Sequence, residues 1–341
     1  MTGDTACIDT GRNDDGSPTV DIIIPTFRRS DLLDNEFISI FAQGRKIEKI
    51  FLVHRPDEDA DAVAWLAANA GKWDNLIPVS VYVPGQVAAI NAAFDRADSD
   101  IIIVLDDDIA MREGWIDKIV GHFSDPMVGA AGGSDFIHGP TGTATLKKHK
   151  RAGYRSIWGH IVGRYECVEG PPREVETIKG CNWAVRRTAM GTLRLDERLL
   201  GIGAQGGNDT WFCTNLRHAG WKIILDPTAV VDHYPAFKPD YAHGTWSQKK
   251  CFEWTANSTA YNLAFMPFYR KAIYALFAVV VGFRHCPGGY YFVHSLIKRP
   301  RTLKGQFLGG WAGFFKGLQM ARDFGRSPPG FPGTPPLPGR R

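Results

Sequence analysis

The most chemically loaded stretch of the chain is the triplet Asp106, Asp107 and Asp108, which directly follows the apolar run IIIVL at 101–105. Adjacent carboxylates repel one another and raise their own pKa values. A hard divalent cation, Mg2+ or Mn2+, relieves that repulsion, because such ions prefer oxygen ligands and accept phosphate oxygens beside them. In an extended turn Asp106 and Asp108 point the same way and Asp107 the other. A solvated acidic loop capping the next helix is the plainer reading, and the place at a strand end favours a metal–diphosphate site over it. A second motif competes: Gly201, Gly203 and Gly206 match G-x-G-x-x-G, with Asp226 twenty residues further on. A dinucleotide fingerprint needs an apolar strand leading in, and the charged 194–198 segment (RLDER) fails that condition. No G-x-x-x-x-G-K-[ST] loop is present, so P-loop chemistry is not supported.

The elements that must position the triplet are legible around it. Residues 20–26 (VDIIIPT) read as a buried parallel strand. Ser30 is placed to cap a helix with Leu33, Phe37, Ile40 and Phe41 on one face. Strands at 50–53 and 79–83 and helices at 59–69 and 86–97 follow, then the 101–105 strand and a helix marked by Trp115, Ile116, Ile119, Val120 and Phe123. This alternation predicts a parallel sheet with helices on both faces. Ligands bind such sheets beyond the carboxyl ends of the strands, which gathers 25–28, 54–57 and 106–108 at one edge. Residues 134–176 are Gly-rich and read as irregular, whereas 177–187, a helix at 208–218 and a strand at 222–233 close the folded body.

The chain has 341 residues, 44% hydrophobic and 22% charged, which excludes a mostly disordered chain, a collagen or a coiled coil. Its six cysteines form no C-x-x-C pair, which argues against a zinc ribbon or a thioredoxin-like site and for reduced thiols. The polar, acidic start does not read as a signal peptide.

Four segments, in order, resemble the GT-A glycosyltransferases, in particular family 2, the inverting ones: VDIIIPTFRR (20–29), GQVAAINAAFDRADSDIIIVLDDD (85–108), IKGCNWAVRRTAM (178–190) and GGNDTWFCTNLRHAGWKIILDPTAVVDH (206–233). The resemblance implies an α/β GT-A fold, a Rossmann-like, mostly parallel sheet flanked by helices. It implies a nucleotide-sugar donor and a divalent cation. Asp108 would ligate the metal, Asp106 would contact ribose or a metal-bound water, and His233 would be the third protein ligand. Pro25, Thr26, Phe27, Arg28, Asp57, Asn91 and Asp107 would lie on the donor side. Asn182, Trp183 and Asn208 would lie on the acceptor side, Trp183 being equally readable as a core residue. Asp209 matches the catalytic base of the family's Glu-Asp motif, with Asn208 in place of Glu. At the start of a helix its ionised form would be favoured. The Arg that often precedes Asn91 is Ile90 here, and His54, Arg55, Pro56 and Asp57 stand where the family often has an acidic pair. A nucleotidyltransferase, which uses the same kind of metal–diphosphate site, and a non-catalytic glycan-binding protein are the competing functions.

The chain's net charge of +4 hides an asymmetry: residues 260–341 carry twelve Lys/Arg against one acid, Asp323. The apolar run at 272–283 would span about 18 Å as a helix, short of a bilayer core. Interleaved with aromatic stretches, these cations suit helices lying on an anionic membrane surface. A helical subdomain that covers the body or forms a dimer contact is the alternative, so a homo-oligomer stays open. Nucleic acid is not expected as a partner. The expected organisation is a disordered tail (1–19), a GT-A domain (20–245), a basic aromatic helical extension that associates with membrane (246–326) and a Pro/Gly-rich flexible tail (327–341). The expected place is cytoplasmic, at the inner face of the membrane. The expected acceptor is a glycan or lipid-linked glycan. A processive synthase's Gln-x-x-Arg-Trp is absent, which points to non-processive transfer.

Overall fold

The computed structural model describes residues 16–139, 142–143, 149–163, 165–201, 203–235, 246–298, 300–326 and 330–335. The expectations for the N-terminal tail and for most of the last residues lie outside these. The first half alternates as the sequence predicts: β1 (Val20–Pro25), α1 (Ser30–Phe41), β2 (Lys49–His54), α2 (Ala60–Ala68), β3 (Leu76–Ser80), α3 (Gln86–Phe94) and β4 (Ile101–Leu105). β4 pairs parallel with β1, β1 with β2 and β2 with β3. Every residue of β4 is buried, consistent with a strand covered on both faces. Local ends differ from expectation for physical reasons. Ser30 is the first helical residue of α1 and makes no cap, whereas Asp59 caps α2 by accepting from the Ala62 N–H. β3 starts three residues earlier than predicted, at Leu76.

Beyond β4 come β5 (Ile109–Met111), α4 (Trp115–Gly121), β6 (Val128–Gly139), β7 (Gly142–Thr143), the short hairpin β8 (Tyr154–Arg155) and β9 (Ile161–Val162), β10 (Arg173–Val175), β11 (Asn182–Arg186), the one-turn α5 (Arg187–Met190), α6 (Asn208–His218) and β12 (Lys222–His233). Among the described residues the main sheet runs β10-β12-β6-β11-β4-β1-β2-β3. Its second half is mixed: β11 lies antiparallel between β4 and β6, and β12 runs parallel to β6. The parallel expectation therefore holds from β1 to β4 and gives way where β11 enters. β6 crosses the start of the region read as irregular. Its glycines permit close approach: a Cβ at Gly129 would stand 2.7 Å from the Trp221 Cβ, and one at Gly132 3.0 Å from that of Ile178.

Four helices follow: α7 (Gln248–Phe265), α8 (Phe268–Val280), α9 (Gly289–Lys298) and α10 (Pro300–Arg326). α7 and the end of α10 are integral to the body. Trp211 of α6 packs on Phe265 and Phe324, and Asn257 Nδ2 donates to the carbonyls of Leu200 and Gly206. Part of the tail expected to be flexible is docked: the Phe331 N–H donates to Thr192 Oγ1, and the Gly333 carbonyl accepts from Trp221 Nε1. No helix among the described residues is long and apolar enough to cross a membrane.

Candidate active site

The acidic triplet leaves β4 at the carboxyl edge of the parallel strands, and antiparallel pairing with β5 brings the end of β12 beside it, with His233 opposite Ile109. The Tyr234 N–H donates to the Asp108 carbonyl at 2.8 Å and closes that junction. His233 Nε2 lies 3.3 Å from Asp108 Oδ1, and His233 Nδ1 lies 2.9 Å from Asp135 Oδ2. Asp135 fixes the ring, so that Nε2 faces the triplet. Asp108 Oδ1 is buried and accepts no hydrogen bond. Asp106, Asp108 and His233 offer ligand atoms that all lie within 4.8 Å of one another. Two carboxylates and one imidazole around an unsatisfied oxygen fit Mn2+ or Mg2+. A second grouping, Asp135, Cys181 and His233, is equally tight. It is spoken for internally, since Asp135 is ion-paired with Lys179 and burial pushes the Cys181 thiol well above its ordinary range.

The electrostatics are those of a crowded acidic cluster. Burial first, then the charge of Asp108, raise Asp106 to about 6. Burial raises Asp107 to about 7. Burial would also raise Asp108, but the His233 ring beside it and the charge of Arg29 bring it below its ordinary value. Burial opposes charge on His233, yet its contacts with Asp108 and Asp135 raise it to about 9. Burial would raise Asp135, but Lys179 and His233 hold it at about 2.

The donor-side residues divide. Thr26 Oγ1 donates to Asp107 Oδ2 at 2.8 Å and the Phe27 N–H to the same oxygen at 3.3 Å, while Arg29 pairs with both Asp107 and Asp108. Asp107 therefore turns back to organise the loop after β1, as the alternation of side chains predicts. Arg28, at φ 58°, is the one non-glycine residue with positive φ among those described, and its N–H donates to Asp59. Such backbone strain tends to gather at functional sites. The guanidinium groups of Arg28 and Arg55 flank the Phe27 ring, 4.9 and 4.7 Å from its centroid. Pro25 ends β1, paired with Val53. Asp57 is exposed in the turn after β2. Asn91 faces elsewhere: its amide is taken up by Leu195 and Glu197, an internal brace that the donor-side expectation did not foresee.

On the acceptor side, Asp209 in the first turn of α6 accepts from the N–H of Gly180 at 3.0 Å and of Thr210 at 2.6 Å. Its pKa is raised, because burial outweighs these bonds; the expectation that the helix start holds it at an ordinary low value is corrected here. Asn208 precedes it at the helix start, buried. Asn182 and Trp183 do not face an open site. The Asn182 Oδ1 accepts from the Gly133 N–H at 2.9 Å. Trp183 is 2% exposed, edge-on to Phe94 and Phe212. Both are cross-strand packing residues, because side chains of β11 point alternately into the two buried faces of the sheet.

Sequence reasoning missed several residues. Lys179 pairs with Asp135, and its charge acts on both Asp106 and Asp209. Gln86 Nε2 donates to Asp106 Oδ1 at 2.7 Å. Glu36 of α1 is wholly buried with neither oxygen hydrogen-bonded; burial, then the triplet's charges, raise it well above the carboxylate range. Asp135 lies outside all four family-like segments, and Lys179 lies inside the 178–190 segment but was given no role there.

Residues 21–194, just over half of the chain, match the family described as Glycosyl transferase family 2. The chain is 25% identical over 152 residues to the pre-mycofactocin glycosyltransferase of Mycobacterium tuberculosis, covering 44% of this chain and 30% of that protein. It is 25% identical over 237 residues to the succinoglycan biosynthesis protein ExoM of Rhizobium meliloti, covering 68% of this chain and 72% of that protein. Among solved structures, the mannosyltransferase PcManGT of Pyrobaculum calidifontis, in complex with GDP-Man and Mn2+, superposes with a TM-score of 0.52 at 15% identity, over 91% of this chain and 87% of that one. The match over β1 to β11, set on this sheet with its acidic turn, places the chain in glycosyl transferase family 2.

Proposed function

We propose that the chain transfers a sugar from a nucleotide-diphosphate donor to a hydroxyl acceptor, with inversion, in one displacement. The observation that carries this reading is the convergence of Asp106, Asp108 and His233 at the end of β4, with Lys179 linking that cluster electrostatically to Asp209. A divalent cation held there would supply positive charge to the leaving diphosphate. Mn2+ in the PcManGT complex supports that identity for the ion. Phe27, Arg28 and Arg55 would flank the nucleoside. Lys179 adds a fixed cation beside the departing diphosphate. Asp209 accepts the proton of the attacking hydroxyl, and a pKa raised by burial brings it nearer to working pH than an ordinary carboxylate. Non-processive addition to a glycan or lipid-linked glycan, with the basic helices on an anionic membrane surface, completes the reading.

The test is product analysis with a panel of nucleotide sugars and Mn2+. Release of nucleoside diphosphate with transfer to a hydroxyl acceptor supports the proposal. Pyrophosphate would assign the site to nucleotidyl transfer instead, and glycan binding with no turnover of any donor would make the chain a binding protein.

A further inference from the structure

The hairpin β8–β9 joins the catalytic helix to the basic helices. Arg155 Nη2 donates to Thr214 Oγ1 of α6 at 3.2 Å. On the other side, Asn262 Nδ2 of α7 donates to the Gly159 carbonyl, and Arg270 of α8 donates to that of Ser156 at 2.9 Å. The Trp158 ring stacks on Phe277 at 5.1 Å, and His160 on Phe283 at 6.4 Å. The tip of the hairpin is apolar and exposed: Ile157 is 48% and Trp158 46% accessible. Beside it, α8 presents Leu276 and Val280 to solvent, and α9 presents Val293 and Ile297. Each pair has the spacing of a single helix face. More than half of the large apolar side chains exposed on the described residues lie on α8, α9 and α10.

At the foot of the same hairpin is a cavity of about 480 Å³ lined by His149, Lys150, Arg151, Tyr154, His160 and Val162. Among the described residues its lining has two basic side chains, Lys150 and Arg151, and no carboxylate. His160 belongs both to this lining and to the stack on Phe283, so cavity and apolar surface adjoin. A cationic recess at the rim of exposed apolar helix faces, beside a C-terminal segment (260–341) with twelve basic residues and one acid, is complementary to an interface of acyl chains and anionic headgroups.

We propose that this cavity receives the phosphate of an anionic membrane lipid while Ile157, Trp158 and the outer faces of α8 and α9 rest in the interface. The inference rests on the membrane part of the reading above and adds a headgroup site to it. Through Arg155 and Thr214 the seated hairpin sets the distance of α6, and hence of Asp209, from the membrane surface.

The experiment is co-sedimentation of the full chain with phosphatidylcholine vesicles, with and without phosphatidylglycerol. The wild type should bind the anionic vesicles, and the double variant K150Q/R151Q should bind them about tenfold or more weakly. The charge-retaining K150R/R151K should restore binding, which separates lost charge from a misfolded hairpin. Equal binding by wild type and K150Q/R151Q overturns the proposal. So does a thermal shift with inorganic phosphate, lost in K150Q/R151Q, in a chain that ignores anionic vesicles, since the cavity then takes a soluble phosphate. A dimer in sedimentation velocity that binds no vesicles overturns it too, assigning the apolar faces to a second copy. Donor turnover measured in parallel keeps the two readings apart: a chain that releases nucleoside diphosphate and ignores vesicles refutes this inference alone, and one that binds vesicles through the cavity without turnover refutes glycosyl transfer alone.

Discussion

The acidic turn after β4 and the first turn of α6 both bury carboxylates, and they solve the resulting electrostatic problem differently. At α6, Asp209 has two backbone N–H donors and no other carboxylate among the principal influences on it. In the acidic turn, three aspartates, with Glu36 close enough to feel their charge, share Arg29 and His233, and Asp108 Oδ1 remains unsatisfied. In the proposed function the lone buried carboxylate with local donors takes the proton and the crowded cluster holds the cation, and the difference in their surroundings is what supports that division.

The largest expected effect separates the two centres. Asp209→Asn keeps the shape and one of the two acceptor oxygens but removes the proton acceptor, and should lower kcat about 10²- to 10⁴-fold. Mn2+ affinity, measured by calorimetry, should stay at its wild-type value. Asp108→Asn should do the reverse in binding, abolishing measurable Mn2+ uptake. If Asp209→Asn lost the metal and Asp108→Asn kept it, the assignment would be inverted.

Next in size is the support for His233. Asp135→Asn removes the carboxylate that orients the ring and leaves Lys179 without its ion pair. Loss of such a supporting group commonly costs 10- to 100-fold in metal affinity, and about that loss is expected here. The same affinity should depend on pH. His233 is protonated below about 9 while it bridges Asp108 and Asp135, and it must release a proton to ligate. Mn2+ binding should therefore tighten by up to about tenfold per pH unit between roughly pH 7 and 9, with proton release visible as buffer-dependent heat. A flat profile would show that His233 does not ligate.

Legibility in the sequence followed the same divide. β4, α6 and β12 have the predicted bounds, because each combines an unambiguous apolar period with a clear terminal signal. The triplet and Asp209 are encoded by neighbours in sequence. What failed was encoded across strands. The end of β6 falls in the 134–176 stretch read as irregular, and the strand's glycines at 129, 132 and 133 admit Trp221, Ile178 and Asn182, a packing that no local signal announces. Asp135 sits on that strand and Lys179 just before β11, so their pairing was invisible. Asn91 was read as a donor contact and tertiary structure uses it as an internal brace, while Trp183, readable equally as a sugar contact or a core residue, packs in the core. The tail misled by composition, since the glycines that suggest flexibility let Gly333 approach Ala189 closely enough for a 2.9 Å backbone hydrogen bond.

The smallest expected effect is on stability, and its sign follows from the crowded centre. Asp106 and Asp107 have pKa values of about 6 and 7 in the folded chain, and burial raises Glu36 well above its ordinary value. Unfolded, these groups titrate near 4. Between those limits the folded state holds more protons, so without metal the stability contributed by these groups falls as pH rises from about 4 to about 7. His233, raised to about 9, contributes in the same direction: its share is present below its unfolded pKa and is lost as pH rises through 9. Thermal melts in chelator should thus show Tm declining across pH 5–7, and saturating Mn2+ should flatten the decline by replacing protons with a cation. Glu36→Gln isolates one member of the set. Burial disfavours the Glu36 carboxylate and neither oxygen is hydrogen-bonded, so an uncharged amide of the same length should cost little at pH 7, about 1 kcal/mol or less. At alkaline pH, where the wild type must ionise a buried acid, the variant should be the more stable of the two. A variant that is destabilised equally at every pH would mean that Glu36 accepts a hydrogen bond from bound water that Gln cannot reproduce, and would remove it from the crowded centre.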